Sequence, residues 1–281
     1  MSYKHTFKEI LLRFKWKISI TLALVIIEST IGIFYPLVIG IAINDLLDKS
    51  YQGLYWLTAL GVSSLIIGSL RRFYDTRVYA NIYLKTVTEM IVSGHQKKQS
   101  ISAISARSKL MTEFVEFLEN SLPDLIESVV AIVGIAIVIS TLNLQVFYAC
   151  VALLILIMII YTTTGGKNYQ LNKAYNDEFE QQVQAISSKN KRKSHQHFNA
   201  LMRWNIALSD LETVNYFIVW CGVIALFIFT PLTVIAEGVL SYGLVFSILM
   251  YVFDYIERLT LMPLHIQQAI RLHEISQRLT K

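Results

Sequence analysis

Six apolar runs of roughly bilayer-spanning length constrain this chain more than any other feature. They cover Ile18–Ile43, Leu54–Leu70, Leu122–Leu142, Leu144–Thr162, Leu211–Thr230 and Val239–Phe253. A hydrocarbon core about 30 Å thick takes roughly 20 apolar residues as a helix, and backbone polar groups at that depth must be satisfied within the segment. The chain therefore reads as an all-α membrane protein with six transmembrane helices. Charged residues make up only 16% of the sequence, against about a quarter in soluble domains.

The basic residues give this bundle an orientation. Of 25 Lys and Arg, Lys49 alone falls in one of the short connections; the rest precede the first run, follow the sixth, or lie in the two long connections. By the positive-inside rule both termini and both long connections are cytoplasmic. The net charge of +5 is then topological, and no nucleic-acid partner is implied. Cys150 and Cys221 sit inside apolar runs, and His195 with His197 forms an isolated pair in a basic stretch. Neither set has the spacing of a disulfide framework or a zinc site.

The outer connections are short and the inner ones long, running from about Arg71 to Ser121 and from Gly165 to Asp210. The inner stretches lack the Gly, Pro and Ser clusters of loops. Apolar residues recur at helical spacing, at Phe73, Val78, Ile82 and Ile91, and again at Leu171, Ala174, Phe179 and Val183. A helix from Leu54 to about Ser93 would reach roughly 60 Å, about twice the hydrocarbon thickness. Long cytoplasmic helical hairpins are expected, with turns near Gly94–Arg107 and Ser187–Phe198. At the N-terminus, residues 1–17 carry no signal-peptide pattern, and "KHTFKEILLRFKWK" reads as an interfacial helix. Residues 18–263 form the bundle. Residues 264–281 form an amphipathic tail, with Leu272, Ile275 and Leu279 opposite Arg271, Glu274 and Arg278.

Several stretches carry a family resemblance. "YPLVIGIAINDLL" at Tyr35–Leu47 is similar to the end of the first helix of ABC exporter transmembrane domains (the type IV, or type 1 exporter, fold). "RRFYDTRVYANIYLKTVTEMI" resembles their basic second helix, "VEFLENSLPDLIESVVAIVG" the start of the third, and "AEGVLSYGLVFSILMYV" with Pro263 the sixth. The resemblance covers nearly the whole chain and implies one exporter-like transmembrane domain without a nucleotide-binding domain. In that family "EISQRL" leads into the ATPase domain. No G-x-x-x-x-G-K-[ST] occurs here, and "TTTGGKNY" at Thr162–Tyr169 lacks the first glycine and the preceding strand. The chain is not expected to be an enzyme. It has no cofactor of its own, and ATP and Mg would act only through a separate nucleotide-binding subunit. Six helices are half of the family's pathway, so a homodimer or a related half-transporter is implied.

The family's first coupling segment carries a Gly-Glu-x-x-x-Arg run followed by Asp. In "QSISAISARSKLMTEF" Arg107 matches, whereas the Gly and the Asp do not. The second segment is basic at Lys191, Arg192 and Lys193. Arg107 and these three are the candidate partner-coupling residues, with an acidic partner surface or anionic lipid as the contact and the ordinary inner-side basic excess as the plainer reading.

No nucleophile elbow and no metal-ligand pattern is present, so there is no catalytic or metal candidate. The remaining candidates are ionisable and aromatic residues at membrane depth, where charge is costly. Glu28, near the middle of the first run, could bind a cation or a proton, or pair with an inward Arg. Glu127, Asp254, Tyr251 and Tyr255 are candidates for cavity, substrate or proton contact. Asp254 and Arg258 stand i, i+4 and can pair. Arg71, Arg72 and Asp75 read as interfacial anchors, with cavity lining as the other reading. Gly32, Pro36 and Gly40 suit close approach and a kink in the first helix.

Three functions fit: a permease subunit moving a small or amphipathic molecule with a separate ATPase, an ATP-independent transporter using Glu28, or a membrane scaffold or receptor. The compact form favours a bacterial inner membrane.

Overall fold

In the computed structural model the described residues are 7–236 and 241–280, and they form helices joined by short turns. In order these are α1 (Phe7–Arg13), α2 (Lys15–Ile33), α3 (Tyr35–Leu47), α4 (Gln52–Gln96), α5 (Ile101–Glu116), a π-turn (Phe117–Ser121), α6 (Leu122–Leu142), α7 (Leu144–Glu180), α8 (Gln182–Ser187), α9 (Lys191–Ala236) and α10 (Tyr242–Thr280). Five stretches are long and apolar enough to cross a membrane: Lys15–Leu47, Gln52–Gln96, Ile101–Leu142, Leu144–Ser187 and Lys191–Ala236. The start of the expected sixth span, at Val239 and Leu240, lies outside the described residues. Past Tyr242 that helix carries Asp254, Glu257 and Arg258.

The chain divides into two compact units, residues 1–142 with 238–281, and residues 143–237. In the first, Pro36 sits in the first turn of α3. It lacks an N–H and so marks the break from α2. Close packing of α3 on α10 follows from two glycines: a Cβ on Gly40 would collide with Ser247 and the Gly243 carbonyl, and one on Gly243 with the Gly40 carbonyl. The Ser247 hydroxyl donates to the Pro36 carbonyl at 2.7 Å, and the Tyr251 hydroxyl to the Ile33 carbonyl at 2.7 Å. Asn44 caps α10 from outside, accepting from the Gly243 N–H at 2.9 Å and donating to Ser241 Oγ at 2.7 Å. Gly32, by contrast, faces open space.

Beyond its apolar stretch α4 continues as helix and turns into α5 through residues 97–100. Its buried face is Asp75, Val78, Tyr79, Ile82, Thr86 and Met90. Phe73, expected on that face, points outward, as do Phe179 and Val183 in the other unit. Val78, Tyr79 and Ile82 form a core with Ile10 and Phe14 from the N-terminal segment and Met111, Phe114 and Leu118 from the α5 side, with Leu272 of the tail packed against it. Arg13 clamps α1 to α4 through a bidentate pair with Glu89, at 2.6 and 2.8 Å. The side chains of Ile275 and Leu279 lie outside the described part.

The second unit is a hairpin of α7 and α9, with the short α8 at its turn. Asn143 caps α7 by accepting from the Val146 N–H at 2.8 Å. Cys150, Leu153, Ile157 and Ile160 of α7 and Val219, Val223 and Leu226 of α9 supply its buried apolar face. Three turn lysines, Lys49, Lys98 and Lys189, take positive φ of 57°, 53° and 51°, the left-handed conformation that commonly ends helices.

Candidate functional site

Apart from the exposed Arg13–Glu89 pair, two groups of charged side chains among the described residues lie between helices of the first unit. At the first, Glu28 of α2 pairs with Arg71 of α4. Room for the pair comes from Gly68, where a Cβ would stand 2.8 Å from Glu28 Oε1. Arg71 also lies 3.8 Å from Asp75, one helical turn along. Asp75 is 7% exposed and Tyr79, a further turn along, is fully buried. Arg71 and Asp75 thus face the bundle, while Arg72 stays exposed. Both inward residues fall on the same repeat as Val78 and Ile82, which is the signal that marks them as core positions.

At the second place, Arg258 of α10 meets Glu127 of α6 at 2.8 Å and Asp254 of its own helix at 3.4 Å. The expected i, i+4 pair is therefore present, with Glu127 as a further partner that periodicity alone does not reveal. One residue on, Ser128 Oγ and His265 Nε2 are hydrogen-bonded at 3.1 Å, both buried. Of the aromatic candidates, Tyr251 and Tyr255 are buried at 0% and 1% exposure. The carboxylates singled out for substrate or proton contact, Glu28, Glu127 and Asp254, each hold an arginine in this conformation. Each pair offsets part of the cost of charge at low dielectric.

The partner-coupling candidates lie at the turns. Arg107 Nη1 donates to Gln99 Oε1 at 3.3 Å, which ties it to the turn between α4 and α5. Lys191, Arg192 and Lys193 open α9 as exposed residues, and Asn190 Oδ1 accepts from the Arg192 N–H at 2.9 Å as the cap. Of the two histidines beside them, His195 is exposed, whereas His197 is buried and hydrogen-bonded to Glu178 of α7 at 2.7 Å. Among the described residues no group of three or more His, Cys, Asp or Glu could hold a metal ion.

Outward-facing large apolar residues continue along the helices, among them Leu65, Ile66 and Leu70 on α4 and Phe217, Ile224 and Ile228 on α9. Apolar surface on this scale calls for lipid or a protein partner. A family model described as the ABC transporter transmembrane region matches residues 7–243. The comparison with curated proteins finds no match.

Proposed function

The chain belongs to the ABC transporter transmembrane-region family, and on that premise we propose that it is the permease subunit of an ABC-type transporter, moving a small or amphipathic molecule. It is an integral membrane protein. The observation that carries the reading is the family match over residues 7–243, which lies on helices that run unbroken from apolar stretches into charged arms. In the proposed arrangement six helices span the membrane, α10 supplying the sixth, with both termini and the arms of α4, α5, α7 and α9 in the cytoplasm. The membrane is a bacterial inner membrane, and two copies, or one copy and a related half, complete the pathway.

ATP hydrolysis is assigned to a separate nucleotide-binding subunit, with Mg bound there. That subunit docks at the turns carrying Arg107 and Lys191, Arg192 and Lys193, and its closure rocks the long helices as levers. The basic α9 turn presents cations to an acidic surface, a contact that salt weakens.

Affinity purification of the tagged chain from its native membrane in mild detergent, with partners identified by mass spectrometry, tests this. A stoichiometric subunit with a phosphate-binding loop is the expected result. Recovery of the chain alone, at every salt concentration tried, overturns the ATPase-driven reading. The Glu28–Arg71–Asp75 cluster favours a second reading in that event, an ion-coupled transporter on the same fold.

A further inference from the structure

Asp75 is a carboxylate with too few partners. Around it stand Glu28 of α2, Arg71 and Tyr79 of α4, and Glu119 of the π-turn, with Glu116 next to Glu119. Glu28 and Asp75 share the Arg71 guanidinium, whose closer ion pair is with Glu28, and Glu119 adds a further carboxyl beside Asp75. The hydroxyl that stands near both Asp75 and Tyr79 is that of Thr21, and it donates to the Lys17 carbonyl at 3.3 Å. Asp75 Oδ1 and the Tyr79 hydroxyl are both buried without a hydrogen-bond partner. An ionised carboxylate can only accept, so an ionised Asp75 depends on the Thr21 hydroxyl, which it shares with the Lys17 carbonyl, and on Arg71 at 3.8 Å, a costly arrangement for a buried charge.

One added proton removes the surplus negative charge of the cluster. Thr21 and Tyr79 are fully buried and Asp75 is 7% exposed; a proton is the cation that needs no added volume. The elements also argue for a function. Three separate segments meet here, and π-turns recur at functional sites because the extra residue redirects a side chain. We propose that Asp75 is a proton-binding site that makes the packing of α2, α4 and the π-turn pH-dependent. The proposal deepens the ion-coupled reading by moving the proton from Glu28, which has its arginine, to Asp75.

The sign of the pH effect follows from proton linkage. A carboxyl that keeps its proton when folded, at a pH where the unfolded chain has released it, loses stability as pH rises. Separation of α2 from α4 would hydrate Asp75 and release the proton.

Infrared spectroscopy of the purified, reconstituted chain tests the site. As pH is lowered from 9 to 5, a protonated-carboxyl band is expected to appear in the wild type and in Glu28→Gln and Glu119→Gln before the exposed carboxyls take up protons, and it is lost in Asp75→Asn. Asn is isosteric with the neutral acid, so Asp75→Asn is expected to melt within about 2 °C of wild type at the pH where that band is present. It should also lose less stability than wild type as pH rises through the range in which the band disappears. A missing band, a band that survives Asp75→Asn, or an Asp75→Asn chain that fails to fold overturns the proposal. So does a melting temperature that rises in sodium chloride over choline chloride with no band present, which assigns the site to an alkali cation. These measurements need neither substrate nor ATPase: a missing band leaves the permease reading intact, and an ATPase partner leaves the proton site intact.

Discussion

Where α3 meets α10 in the first unit, backbone touches backbone; where α7 meets α9 in the second, a glycine touches the ends of leucine side chains. The comparison at Gly243 and Gly222 is direct. A Cβ on Gly243 would run into the Gly40 carbonyl and Asn44, groups fixed by the helix and by the Asn44 cap on α10. A Cβ on Gly222 would stand 2.9 Å from Leu156 Cδ2 and 3.0 Å from Leu153 Cδ1, atoms that a rotamer change moves away. Polar groups differ in the same direction. The first unit joins its helices through partly buried arginine–carboxylate pairs, while the second links its helices through amide, hydroxyl and imidazole contacts, Asn215 to Thr164 at 3.1 Å and His197 to Glu178. The first unit is held by contacts with a single solution, and the second by contacts that can adjust.

The largest effect that follows is at the glycines. Gly243→Ala is expected to destabilise by about 3 kcal/mol or more, since overpacking against backbone has no cheap relaxation. Gly222→Ala is expected to fall within about 1 kcal/mol of wild type, because the helix propensity gained by alanine offsets the leucine adjustment. Thermal unfolding in detergent, followed by circular dichroism, measures both. Equal losses at the two positions would break the comparison.

Next in size is the charge contrast. Arg71→Met leaves Glu28 and Asp75 without a cation, and removing one partner of a buried pair costs about 3–5 kcal/mol. Arg71 and Glu28 are partly exposed, at 18% and 25%, which places the expected loss at the low end, about 3 kcal/mol. Adding Glu28→Gln should recover part of it. Asn215→Leu removes one interhelical hydrogen bond and one amide oxygen that is already unpartnered. Such bonds between membrane helices average about 0.6 kcal/mol, so the melt is expected to shift little. A larger loss from Asn215→Leu than from Arg71→Met would reverse the roles assigned to the two units.

How far these contacts were legible in the sequence depends on their span. The long helices were legible from periodicity and from the lack of turn residues: a helix expected over Leu54 to about Ser93 is found over Gln52–Gln96, and Leu122–Leu142 is the helix found. The Asp254–Arg258 pair was legible because i, i+4 spacing is local. That Glu28 could pair with an inward arginine was legible, but that the arginine is Arg71, and that Glu127 meets Arg258, was not, since each pair joins two helices whose facing residues only packing determines. That Arg71 and Asp75 turn inward was legible in part, since Asp75 shares the repeat of Val78, Ile82 and Met90. The basic charge of α9's start was legible, but the separation of exposed His195 from buried His197 needed α7, which supplies Glu178.

The turns were placed only approximately, and the reason gives the smallest prediction. Gly94 looked like a turn residue, yet it stays helical, with a Cβ there standing 2.8 Å from Ile104. The left-handed residue is Lys98, and in the other unit Lys189. A side chain with a Cβ costs about 1–2 kcal/mol in that conformation, part of which glycine forfeits through the greater freedom of its unfolded chain. Lys98→Gly and Lys189→Gly are each expected to stabilise by up to about 1 kcal/mol. The gain should be the same in both units, because the cause is local backbone geometry and owes nothing to how the helices pack. Proteolysis at the turns, in native membranes and without denaturant, gives a second readout: slower cleavage at both is expected. If Lys189→Gly protects and Lys98→Gly does not, the first unit's turn is held by its surroundings, Arg107 on Gln99 foremost, and the rigidity of that unit extends to its end.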